Sequence, residues 1–154
     1  MCLKLKKHYE AIKADEPVTC YKVLTGNVTP YANVGVPDDA LAGKSDFCAE
    51  YLEGVHVSVV RRRYDGNYEI NSGMIHTFAS YRAAVDDSRW LKGRGCENVA
   101  IWECVIPAGY YYYEGTTQIC KVNENDIFMG VYHGKSYASP RIRFIKKIKD
   151  FSCV

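Results

Sequence analysis

His76 stands in the run Gly73-Met-Ile-His-Thr-Phe78, shortly before Ser80, whose hydroxyl suits the cap of a helix. A histidine ahead of a helix start can serve as acid, base or donor to a phosphate, because helix N-termini favour anions. Its ordinary role there is a ring bonded to backbone. Arg61-Arg62-Arg63 is the sharpest cluster of charge. Strand alternation sends Arg62 to one face and Arg61 and Arg63 to the other, so only two of the three can grip one phosphate or acidic partner. A solvated hairpin end is the default for them. Arg141, Arg143, Lys146, Lys147 and Lys149 form a second basic set, whose simplest role is to guard a sheet edge. The four tyrosines 110–113 should alternate, which leaves Tyr110 and Tyr112 on one face as a platform for a nucleobase beside Arg141. Glu103 is the odd carboxylate, set in the apolar run 99–106.

Other spacings are missing. The chain has no Gly-x-x-x-x-Gly-Lys-Ser/Thr loop, no Gly-x-Ser-x-Gly elbow and no His-Glu-x-x-His pair. Seven cysteines are scattered without a Cys-x-x-Cys pair, so reduced, hydrophobe-like thiols are expected and no metal or other cofactor. The basic start lacks the apolar core of a signal peptide, and no apolar run reaches membrane-spanning length. A cytoplasmic protein is expected. A net charge of +2 gives no general pull toward nucleic acid or membranes. Thirteen tyrosines against five phenylalanines are the compositional anomaly; tyrosine suits half-exposed strands and binding surfaces.

The elements that must position these groups follow from periodicity. Residues 18–24 read as a first strand. Residues 27–44, with two prolines and two glycines, read as a long loop with a helical turn near 38–41. Residues 54–63 and 68–71 flank Asp65-Gly66 and predict a hairpin. A helix is expected over 81–91, packing through Tyr81, Ala84, Val85 and Ser88, with Asp86 and Asp87 solvated. Strands are expected over 99–106, 110–113, 127–132 (turning at His133-Gly134-Lys135) and 141–148. The predicted class is α+β: a single domain, 1–154, with a mainly antiparallel mixed sheet, one principal helix and the long loop.

Four segments, Met1-Cys-Leu3, residues 18–24, Asn71-Ser-Gly-Met-Ile-His-Thr-Phe78 with Ala83-Ala84, and Cys104-Val-Ile-Pro-Ala-Gly-Tyr-Tyr-Tyr-Tyr-Glu-Gly115, together with Tyr137-Ala-Ser139, span most of the chain. In this order they resemble short uncharacterised proteins of gut Bacteroidales phages and mobile elements, a likeness that carries no function with it. Tyr21-Lys22, Phe78-Ala-Ser80 and Ile106-Pro-Ala-Gly109 are similar, more weakly, to the ADP-ribosyltransferase superfamily. That likeness implies NAD as substrate, with Tyr21 and Lys22 at the ligand. Lys22 stands where those enzymes carry Arg or His, and no Glu matches their catalytic position.

The resulting expectation is a non-enzymatic accessory module that binds a nucleotide-like anion or a host protein. Tyr21, Lys22, Arg61, Arg63, His76, Tyr110, Tyr112 and Arg141 are its candidate ligand residues. An ADP-ribosyltransferase-like enzyme and a virion structural or cargo protein are the alternatives. No membrane or nucleic-acid partner is expected, and self-association into a homo-oligomer stays open.

Overall fold

The computed structural model describes residues 3–6, 9–31, 34–49, 60–70 and 73–151. The strands are β1 (Leu3–Leu5), β2 (Ile12–Lys13), β3 (Val18–Thr25), β4 (Phe47–Cys48), β5 (Val60–Arg62), β6 (Tyr68–Ile70), β7 (Ile75–Phe78), β8 (Val99–Ile106), β9 (Tyr111–Val122), β10 (Phe128–Ser139) and β11 (Arg141–Asp150). The helices are α1 (Asp38–Leu41), between β3 and β4, and α2 (Tyr81–Gly93), between β7 and β8. One sheet holds every described strand, in the order β4-β11-β8-β3-β7-β10-β9-β1-β6-β5, with β2 added beside β9.

Local chemistry fixes the turns and caps. Ser80 Oγ accepts from the Ala83 amide at 3.1 Å and starts α2. Gly66, at φ 86°, completes the Asp65-Gly66 turn between β5 and β6, where the Asp65 carboxylate accepts from the Asn67 amide. The Asn123 side chain accepts from the amides of Asn125 and Ile127 at 2.9 and 3.0 Å, tying the turn between β9 and β10.

Alternation divides β3 between two cores. Cys20 and Leu24 pack with Cys104, Ile106, Ile142 and Phe144 on the face away from α2. Val23 packs with Phe78, Ala84, Ile101 and Ile119 beneath the helix. Ile101 and Ile119 belong to β8 and β9, which stand four places apart in the sheet, yet both touch the α2 cluster. The sheet therefore curls around the helix as a half-barrel. A third cluster of Leu3, Leu5, Ile70, Tyr113 and Ala138 fills the β1–β6 end.

The expected α+β class is corrected by this architecture. Among the described residues strands make up 52% and helix 13%, every strand pairing is antiparallel, and two helices accompany the sheet rather than one principal helix. The physical reason lies in the glycines. His133-Gly134-Lys135 is no turn: β10 runs through it, paired with β9 from Phe128 to Ala138. Gly134 and Gly115 sit inside strands because a side chain there has no room. A Cβ on Gly134 would strike Ile119 Cδ1, and one on Gly115 would strike the Lys4 carbonyl oxygen. Gly115→Ala should thus lose about 1–3 kcal/mol of stability in urea unfolding. Gly134→Ala should lose less, since the end of an isoleucine side chain can turn aside. Equal losses would contradict the close approach of β1 to β9.

Three smaller expectations also change. Asp86 and Asp87 are buried, not solvated, and Tyr81 is exposed, because a helix inside a curled sheet is covered on more than one side. Tyr112 and Tyr113 are both buried, facing different cores, while Tyr111 is exposed, so the two inward tyrosines are adjacent rather than alternate residues. The predicted hairpin forms between β5 and β6, while the first part of its 54–63 strand lies outside the described residues.

Candidate functional site

β3 pairs with β8 along its whole length, from Val18↔Ile106 to Thr25↔Val99. On its other side it meets β7 only at Tyr21↔Phe78. Past that point β3 and β7 have no ladder between them, and Lys22 spans the interval. Its Nζ donates to the His76 carbonyl oxygen at 2.8 Å. The chain thus places a lysine amine, only 8% exposed, at a split in the middle of its sheet.

A protonated amine carries three donors, and His76 O is the one side-chain hydrogen bond shown for Lys22. Burial lowers its pKa to about 8, opposed by Cys104, Asp87 and Cys20. At neutral pH the group is mostly an ammonium. His76 is also 8% exposed, and among the described residues neither ring nitrogen has a hydrogen-bond partner. Burial first, and Lys22 second, push its pKa down to about 3, so the ring is neutral, with one donor and one acceptor unused. Leaving such groups unmet costs about 1–3 kcal/mol each. Native interiors keep few of these, and they gather where a ligand is taken.

Asp87, 7% exposed on α2, acts on Lys22 through its charge. Burial raises its pKa to about 6, while the Tyr31 hydroxyl and Lys22 pull it down. Tyr31 Oη donates to Asp87 Oδ1 at 3.2 Å, from a left-handed backbone at φ 70°. Half of Tyr31 faces solvent, so it stands between the buried carboxylate and the outside. Next along the helix, Asp86 accepts from Tyr132 Oη at 2.6 Å and lies 3.7 Å from Arg82.

Of the residues expected at a ligand, Lys22 and His76 meet across β3 and β7, while Tyr21 lies on the other face of β3 and packs beneath α2 against Tyr81. The others do not join them. Arg61 and Arg63 lie at the far, β5–β6 end of the sheet, where Arg63 pairs with Asp65 and Glu69 at 3.5 and 3.9 Å. Tyr112 packs edge-on against Tyr137, with centroids 5.4 Å apart, as a core residue. Tyr110 and Arg141 stack on each other at 5.2 Å. Asp87 and Tyr31 were missed by sequence reasoning. The spacing of Ala83, Ala84, Asp87, Ser88 and Leu91 marks a helical face that a one-residue shift in the assumed apolar stripe would have exposed.

Among the described residues no group of three or more His, Cys, Asp or Glu side chains is placed to hold a metal ion. No described helix is long and apolar enough to cross a membrane. Comparison with protein-family models, curated proteins and solved structures finds no match to this chain. What the fold and site define is therefore a class alone: a curled antiparallel sheet around α2, with a lysine amine bonded across a split between two strands and a buried histidine and aspartate that feel its charge.

Proposed function

We propose that the protein is a small ligand-binding accessory module, of the phage or mobile-element type, that takes a nucleotide-like anion at Lys22 and His76. The observation that carries this reading is the pair of unmet His76 ring nitrogens beside an under-satisfied buried amine. A phosphate or carboxylate oxygen supplies the acceptors that an ammonium needs, and the imidazole donates or accepts beside it. Cys104 first and Asp87 second oppose the loss of the Lys22 proton. Thermal-shift measurements with pyrophosphate, mononucleotides and cyclic dinucleotides test it. A stabilisation that grows with ligand concentration is expected for at least one of them; flat melting curves throughout would remove the reading.

One observation favours a second reading, an ADP-ribosyltransferase-like enzyme. Glu103, Tyr21 and Phe78 are register partners in a line across β8, β3 and β7, and Ser80 caps the helix that follows. The segments of that likeness are thus neighbours in space. Incubation with labelled NAD is the test. Label transfer or nicotinamide release that falls in Tyr21→Ala and Lys22→Ala would favour the enzyme; neither activity leaves the binding module.

A further inference from the structure

Three of the long strands have open edges among the described residues, and two of those edges are defended. β11 meets β4 only at Arg141 and Ile142, and beyond them carries Arg143, Lys146, Lys147 and Lys149. β9 is paired by β2 at Tyr111 and Tyr112 and by β1 at Thr116, and its remaining length carries Lys121. Such cations prevent a strand from adding to the sheet. The third edge is different. β10 is covered by β7 only over Ser136–Ser139, with Lys135 O also bound by the Ala79 amide. From Phe128 to Gly134 it is paired on one side alone, with β9. This stretch has no lysine, arginine, acidic residue or proline.

The same stretch exposes apolar surface. Phe128, Met129 and Val131 are 52%, 58% and 48% exposed, and Ile127 before them is 56% exposed. The register slips between Phe128 and Gly130, a bulge that leaves neighbouring side chains outward instead of alternating. Beyond the bulge the strand is regular.

We infer that β10 is a self-association edge, along which a second copy of this chain adds its own β10 antiparallel across a two-fold axis. Charge distribution commits the edge to this occupant. In an antiparallel self-pairing centred on Val131, Tyr132 or His133, Lys135 falls opposite Ile127, Met129 or Val131 of the other copy, never opposite itself. Lys135 is in addition paired with Glu114 at 3.4 Å. No like charges oppose closure, and the exposed apolar side chains of both copies are covered together.

Light scattering and sedimentation of the full chain, across a range of concentrations, read the mass directly. The expected species is twice the 17.4 kDa chain mass, and the double variant Met129→Lys, Val131→Lys should stay at the single mass. Both side chains are about half exposed, so the fold tolerates the change; circular dichroism and melting verify that. Hydrogen exchange should show the amides of residues 130–134 becoming more protected as wild-type concentration rises. A wild type that is monomeric at every concentration, or a dimer that survives the double substitution, overturns the proposal.

Discussion

Lys22→Met should cut affinity for the ligand by about 10- to 100-fold, the range of a lost charge-assisted hydrogen bond. Methionine matches the length of the lysine stem and packs against Cys20 and Leu24, its neighbours on that face of β3. The substitution therefore removes the amine without opening a large cavity. It also removes the donor to the His76 carbonyl, so a modest fall in melting temperature is expected beside the loss of binding. The control is Arg63→Ala, at the far end of the sheet, which should leave affinity unchanged. A Lys22→Met protein that binds as tightly as wild type would place the ligand elsewhere.

Affinity should also depend on pH in a fixed direction. Asp87, raised to about 6 by burial, is mostly ionised at pH 7 and offsets the Lys22 charge. Lys22, lowered to about 8, is still mostly protonated there. Lowering the pH through 6 neutralises the carboxylate and keeps the ammonium, so the surroundings of Lys22 gain net positive charge and an anion binds more tightly. Raising the pH through 8 discharges the amine and weakens binding. His76, lowered to about 3, stays neutral across this range and adds no step of its own. Calorimetric titrations between pH 5 and 9 should show affinity falling steadily, and Asp87→Asn should erase the part of the fall between pH 5 and 7. Affinity that peaks at neutral pH, or ignores Asp87→Asn, would contradict this arrangement.

How far the chain announced all this depends on the length scale. Local devices were legible: Asp65-Gly66 at its turn, Ser80 at its cap, and β3 and β8 as apolar runs. Sheet length was not, because glycine inside a strand reads as punctuation. Only the approach of β1 to Gly115, and of Ile119 to Gly134, explains why β9 and β10 run on. The same holds at the site. Lys22 and His76 could be singled out by type, but their convergence depends on a β3–β7 ladder that stops after one pair, a long-range fact. Asp87 reads as solvent-facing from the sequence because a charged residue in mid-helix, away from the first turn, ordinarily is. Burying them requires a sheet that wraps the helix, and no local pattern reports curvature. The tyrosines 110–113 drew attention by number, yet Tyr112 and Tyr113 pack in separate cores and leave no shared platform.

The enclosed Lys22–His76 pair as the ligand's seat is the central claim. It is tested most directly by the imidazole nitrogen resonances of His76, recorded by NMR with and without pyrophosphate or the nucleotide found to bind. The account predicts a neutral ring that does not titrate above pH 5 and whose two nitrogen shifts move in step with ligand occupancy. A ring that titrates near 6.5, or resonances unmoved at saturating ligand, would contradict it.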